Sequence, residues 1–204
     1  MKNTLTNIST IKSSADNMTI LLMGKPGCGK DTQAQYLNDY YDFKILKIGT
    51  KLRELANSNP DLKKQLDSGD LADNDMVNNL VSDYYIYNNS NIASTGFPRD
   101  IEQAIWLDSF LNNLRRKPAV VILLDIADGT SYQRVSSRSK QQLRQDDDST
   151  IVGHRLDIYY SFTSRVVEHY NKKNALFSVN GEESIEKVWA SVEEVVLKLK
   201  NNHI

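Results

Sequence analysis

Between residues 24 and 32 the chain reads Gly24-Lys25-Pro26-Gly27-Cys28-Gly29-Lys30-Asp31-Thr32, a run suited to holding phosphate. It follows the apolar stretch at 19–23 and opens into a helix-compatible stretch at 33–40. Glycines let the backbone take positive φ and turn its N–H groups inward, and a helix N-terminus adds partial positive charge. Lys30 can then reach the outer phosphates of a nucleoside triphosphate. A plain βα loop is the bland alternative. A lysine directly after the last glycine argues against it.

Four further fragments carry arginines that could meet the same phosphates. Gly49-Thr50-Lys51-Leu52-Arg53 follows a second apolar run, and Gly96-Phe97-Pro98-Arg99, with Gln103, follows a third. Arg134 and Arg138 precede a polar stretch that ends in Arg144-Gln145-Asp146-Asp147, with Arg155 beyond it. Guanidinium groups bind phosphate oxygens through two parallel N–H bonds and never lose their charge. Phosphoryl transfer needs little more than positioning and fixed positive charge. An acceptor phosphate is already anionic, so no general base is required, and the three histidines form no obvious catalytic constellation. Each cation also has a bland reading. Arg138 and Arg144 could belong to a solvated loop, and Arg115 and Arg116, with no motif around them, read as solvated surface. Cys28 reads as a small residue tolerated in the loop, although phosphates beside it could lower its thiol pKa.

The elements that must position these groups follow from periodicity. Strands are predicted at 19–23, 43–47, 91–95, 119–125 and 175–179. The run Val120-Val121-Ile122-Leu123-Leu124 lacks polar alternation, as a parallel strand covered on both faces should. A long helix is predicted over 147–172 with Val152, Leu156, Tyr159, Val166 and Tyr170 on one stripe. A last helix carries Ile185, Val188, Trp189, Val192, Val195, Val196 and Leu199. Tyr40-Tyr41 and Tyr84-Tyr85 read as helix faces packing on the sheet. The order of elements predicts an α/β fold with a doubly wound parallel sheet and its ligand at the carboxyl ends of the strands. Residues 49–80 and 137–148 interrupt the alternation and read as substrate-covering excursions.

The totals narrow the function classes. The 204 residues suffice for one sizeable core. A net charge of -1 with 25% charged residues provides no basic field for nucleic acid or an anionic bilayer. A mean hydropathy of -0.50 and the lack of a long apolar run argue against a membrane span. Residues 1–17 read as a disordered tail without the marks of a secretory signal. The one cysteine excludes internal disulfides and fits a reducing, cytoplasmic setting.

Taken in this order, the glycine loop, Gly-Phe-Pro-Arg with its following Gln, and the Arg-x-Asp-Asp run resemble the adenylate kinase family of nucleoside monophosphate kinases, of the short-lid type. The resemblance extends from about residue 18 to the final helix. It implies a P-loop NTPase-type five-stranded parallel sheet (core 18–48, 81–137 and 148–204), a helical monophosphate-binding lobe at 49–80 and a lid at 138–147. It implies the reaction ATP + AMP to two ADP with Mg2+ as cofactor, in a monomer. Gly27, Cys28, Gly29, Lys30, Asp31 and Thr32 would hold the donor phosphates, with Arg134 and Arg138 on the ATP side. Ile48, Arg53, Ala72, Gly96, Phe97, Pro98, Arg99 and Gln103 would take AMP, joined by Arg144 and Arg155. Lys30, Arg99, Arg138, Arg144 and Arg155 would carry catalysis. Asp146 and Asp147 would cap the following helix and pair with lid arginines.

The chain departs from that pattern in specific places. The family usually has Asp before Gly-Phe-Pro-Arg, where this chain has Thr95, and Ser-Thr-Gly-Asp where it has Lys47-Ile48-Gly49-Thr50. Two carboxylates that hold magnesium through water are thereby missing. Asp31 stands where the family has Gly, and the lobe is shorter by about one helical turn between Leu62 and Gly69. Losing one such partner typically costs about 10–100-fold, so two would leave an enzyme slowed by roughly 10²–10⁴-fold. No direct protein ligand to the metal is implied, but Asp31 could partly restore the site, or merely repel phosphate. Gln103 favours AMP, since pyrimidine-selective relatives usually carry Asn there. Ile48, where adenine-selective members usually have Thr, loosens that preference. The alternatives are a UMP/CMP or broad monophosphate kinase, and a weakly catalytic nucleotide-binding sensor.

Overall fold

The structure is a computed structural model and describes residues 17–142 and 149–201, with side chains at 17–137 and 151–201. Every residue of β1 (Thr19–Met23) is buried, and its side chains alternate between two apolar layers. Ile20 and Leu22 join Ile122 and Leu124 on one side, while Leu21 and Met23 join Leu46 and Val121 on the other. This is why the predicted strands lack polar alternation: neither face meets water. Around β1 lie β2 (Lys44–Lys47), β3 (Ile92–Thr95), β4 (Val120–Asp125) and β5 (Leu176–Asn180). All pairs are parallel, in the order β2-β3-β1-β4-β5. The predicted strands agree with these to within a residue at each end.

β1 pairs with β3 on one side and β4 on the other, so the chain after β3 crosses over β1. The carboxyl ends of β1, β3 and β4 therefore border the crevice where such sheets take ligands. Helix α1 (Lys30–Tyr41) leaves β1 through the glycine loop. α2 (Ile48–Ala56), α3 (Pro60–Asp67) and α4 (Asn74–Tyr87) fill the first excursion without a strand. Asn59 and Asp73 cap α3 and α4 by accepting from the Leu62 and Met76 amides. α5 (Ile101–Asn113) follows β3, capped by Asp100, and α6 (Asp128–Gln142) follows β4.

The predicted long helix is divided. α7 (Ser149–Ile158) and α8 (Ser164–Lys172) flank a π-helical turn at Tyr159–Thr163. Val152, Leu156, Tyr159, Val166 and Tyr170 are all buried, as their stripe requires. The wider turn leaves Thr163 buried within it as well. In α9 (Ile185–Asn201), Val188, Val192, Val195 and Val196 are buried, whereas Ile185 is half exposed. Tyr40 is also exposed and stacks on Trp189, with ring centroids 5.5 Å apart, instead of packing on the sheet.

Arg116 corrects the reading of a solvated pair. Arg115 is exposed, with φ 55, but Arg116 is only 7% exposed. Its Nη2 donates to the Ser90 carbonyl at 2.6 Å and its Nη1 to that of Asn88 at 3.4 Å. The guanidinium lies 5.1 Å from the Tyr85 ring. It ties the end of α4 to the end of α5, a structural task with no local sequence signal.

Candidate active site

The glycine loop adopts the conformation its composition calls for. Gly29 is the residue before α1 and sits at φ 95, where a side chain is strained although space is open. Its carbonyl accepts from the Thr32 and Gln33 amides, starting the helix. Gly24 is required by close approach, since a Cβ there would stand 2.3 Å from the Leu124 carbonyl oxygen. Lys30 folds back into the loop and donates to the carbonyls of Gly24 at 2.8 Å and Lys25 at 3.0 Å. The buried Ser131 hydroxyl on α6 donates to the Pro26 carbonyl at 2.6 Å and fastens the loop from behind. Lys25 turns away to Asp128 at 2.7 Å, and Tyr160 donates to the same carboxylate. Burial opposes the Lys25 charge, yet its bonds to Asp128 and Tyr160 prevail and raise its pKa.

In front of the loop lies a cleft of about 490 Å³. Its walls carry Lys30, Lys47, Arg53, Arg99, Arg134 and Arg155, and Asp31 is the one carboxylate among the described residues lining it. These cations come from β2, α1, α2, α6, α7 and the β3–α5 loop, segments distant in sequence that the fold brings to one cleft. A smaller cleft of about 140 Å³ opens beside it, lined by Ile48, Leu66, Ala72 and Gln103 among others. Arg53, Arg99 and Arg155 border both clefts.

Arg99 is held from two sides. Its amide donates to Gln103 Oε1 at 2.8 Å, and its carbonyl accepts from the Thr163 hydroxyl at 2.9 Å. Burial, with Arg155 next, pushes its guanidinium pKa down to about 10, and its Nε has no hydrogen-bond partner. Arg99 thus remains charged at neutral pH with its Nε unsatisfied, and an incoming anion in the cleft favours that charge. Gln103 is only 2% exposed, and its Nε2 donates to Asn74 Oδ1 at 2.7 Å, so both ends of its amide are committed. Burial also pushes the Tyr159 hydroxyl, on the wall of the larger cleft, up to about 12. Arg134 donates to the Gly181 carbonyl at 2.9 Å, which fixes it against the β5–α9 loop.

Of the residues singled out in the sequence, Gly27, Gly29, Lys30, Asp31, Thr32, Arg53, Gly96, Phe97, Pro98, Arg99, Arg134 and Arg155 meet at the larger cleft. Ile48, Ala72 and Gln103 meet at the smaller one. Cys28 departs from expectation: its side chain is buried behind the loop, off the cleft wall, and takes a Lys30 hydrogen bond at 3.3 Å. The Arg138 side chain, Arg144, Asp146 and Asp147 lie outside the described residues. Three groups escaped the sequence reading. Ser131 and Tyr160 support the loop, and Thr163 supports Arg99. Thr163 had a faint signal, because it continues the Tyr159, Val166 and Tyr170 stripe as a hydroxyl among apolar and aromatic residues.

The loop between α3 and α4 also touches α7. His154 Nε2 and Asp70 Oδ1 are 2.6 Å apart. A Cβ at Gly69, which has φ +87, would come within 3.0 Å of Arg155 and Ile151 carbons. The His154 hydrogen bond, then that from Ser68, holds the Asp70 carboxyl below its ordinary range.

Comparison with known proteins matches residues 22–175 to the family model described as adenylate kinase. An adenylate kinase of Prochlorococcus marinus is 32% identical over 181 residues, covering 87% of this chain and 97% of that protein. An adenylate kinase of Methanocella arvoryzae is 29% identical, over 89% of this chain and 100% of the relative. Adenylate kinase 1 of a Nostoc species is 31% identical, over 83% and 93%.

Proposed function

The chain belongs to the adenylate kinase family, and so is a phosphotransferase; from that premise we propose that it interconverts ATP + AMP and two ADP. One observation carries the reading: Arg53, Arg99 and Arg155 stand where a P-loop cleft and a second, smaller cleft adjoin. A triphosphate in the first and a monophosphate in the second would meet end to end between them. The α1 N-terminus and Lys30 bind the donor phosphates, with Lys30 exchanging loop carbonyls for phosphate oxygens. Arg134 flanks the donor. Arg53 and Arg99 grip the acceptor phosphate, and Arg155 bridges toward the transferring group, where Arg138 and Arg144 would join from a lid over 138–147. Water, the competing acceptor, is excluded when the lobe over 49–80 and that lid close.

The cleft also fits a magnesium ion. Asp31 and Thr95 both line it and offer oxygen donors near Lys30, and Mg2+ commonly combines one or two carboxylates with phosphate oxygens and water. When bound, the ion neutralises charge on the phosphate oxygens. No described helix is long and apolar enough to cross a membrane. The reading takes the protein as a cytoplasmic monomer.

Base choice follows the second cleft. Gln103, which lines it, favours AMP. The engagement of Gln103 with Arg99 and Asn74 favours a second reading, in which several monophosphates are accepted. A coupled ADP assay across AMP, dAMP, CMP, UMP and GMP tests this: AMP should have the highest kcat/KM. A higher value with CMP or UMP reverses the assignment.

A further inference from the structure

We propose that Asp31 and Thr95 act as one unit that holds the magnesium of the bound triphosphate, with the Thr95 hydroxyl aiming the Asp31 carboxylate. The inference rests on the nucleotide reading above and extends it to two residues that depart from the family's usual pattern. Asp31 stands directly after the loop lysine, where P-loop NTPases place a serine or threonine that ligates magnesium. It is exposed in the first turn of α1 and is the one acid among the described residues lining a cleft that also carries six cationic side chains. It nevertheless forms no ion pair with any described residue. Instead its Oδ1 accepts from the Thr95 Oγ1 at 2.7 Å.

Thr95 is 4% exposed at the carboxyl end of β3, so its hydroxyl is anchored by the sheet itself. One carboxylate oxygen is thus directed by a fixed donor, while Oδ2 accepts nothing from the described residues. A carboxylate that served only to favour the α1 N-terminus would need no such anchor. A carboxylate that only repelled phosphate would disfavour every form of the nucleotide. A carboxylate that holds the cation through its water shell disfavours the free nucleotide and favours the magnesium complex. The difference in sign makes the role measurable apart from turnover.

The experiment is calorimetry of ATP binding to the full chain, with excess Mg2+ and with EDTA. Wild type, Asp31→Asn and Thr95→Val are compared, and a thermal melt of each verifies folding. Asp31→Asn keeps an oxygen to accept from Thr95 but loses the charge. It should lower the magnesium enhancement of ATP affinity by about 10–100-fold, while metal-free ATP binds as well or better. Thr95→Val should shift the enhancement in the same direction by a smaller factor. In Asp31→Gly/Thr95→Asp the carboxylate moves across the hydrogen bond onto β3, and the enhancement lost in Asp31→Gly should return. Equal strengthening of ATP binding with and without magnesium in Asp31→Asn assigns the group to simple repulsion and overturns the proposal. So does an unchanged enhancement in Asp31→Asn. Failure of wild type to bind ATP in either buffer overturns the nucleotide reading itself, a separate outcome.

Discussion

Replacing Arg99 with methionine should stabilise the ligand-free protein while disabling its acceptor site. The guanidinium is half-buried on the cleft wall beside Arg155, its Nε lacks a partner, and its pKa is pushed down to about 10. At about 1.4 kcal/mol per pH unit, the displacement from above about 12 corresponds to roughly 3 kcal/mol against the charged form. The folded-state value is the depressed one. The penalty is therefore fully present below pH 10 and is relieved as pH rises from about 10 toward the unfolded-state value. Water entering the cleft and the packing lost with the guanidinium reduce the gain, so about 1–2 kcal/mol is expected at pH 7. Methionine keeps the stem and leaves the backbone bonds to Gln103 and Thr163 in place. AMP affinity should meanwhile fall by about 2–5 kcal/mol, or roughly 30-fold or more, because a charged hydrogen-bonding partner is gone. Urea unfolding of the ligand-free proteins and an AMP titration measure both quantities. A variant that loses more than about 1 kcal/mol of stability yet binds AMP normally would refute the electrostatic account of this residue.

Arg116→Ala should cost about 2–4 kcal/mol in denaturant unfolding, because it abandons the Asn88 and Ser90 carbonyls and the Tyr85 face, yet turnover at 25 °C should hold. Arg115→Asn, exposed and tolerant of the left-handed backbone, should change neither. Thr163→Val should lose about 1 kcal/mol and raise the KM for AMP more than it lowers kcat, with Thr163→Ser restoring both. The half-exposed Asp70–His154 pair should contribute no more than about 1 kcal/mol. Because the Asp70 value is depressed, that contribution is present above the ordinary carboxylate pKa and vanishes as pH falls through the lowered one. Melts of wild type and Asp70→Asn should therefore differ at pH 6 and converge in strong acid.

The parts of this molecule legible in its sequence are those where local chemistry admits one answer. Gly29 needs positive φ before a helix, and Val120 to Leu124 can sit only between two apolar layers, so loop and sheet were readable residue by residue. The motifs at 49–53 and 96–99 follow strand ends, and Arg53 and Arg99 from them share one cleft with Arg134 and Arg155; the Arg138 side chain and Arg144 lie outside the described residues. Long-range polar contacts were not readable. Ser131 reaches Pro26 and Thr163 reaches Arg99 across 105 and 64 residues, and no spacing rule encodes such pairs. The π turn escaped because the stripe from Val152 to Tyr170 reads the same with or without one wide turn. Arg116 escaped because nothing near it indicates that the chain after α5 passes beneath Tyr85. The meeting of Asp31 with Thr95 joins two positions that each look like a defect when read alone.

The proposed reaction passes phosphate directly between two nucleotides gripped by Arg53, Arg99 and Arg155. Phosphorus-31 spectra of the purified protein with ATP, AMP and magnesium test it most directly. Two ADP should appear for each ATP consumed, with no inorganic phosphate, and exchange should collapse in Arg99→Met. Release of inorganic phosphate without ADP derived from AMP, or tight binding of both nucleotides with no conversion, would contradict it.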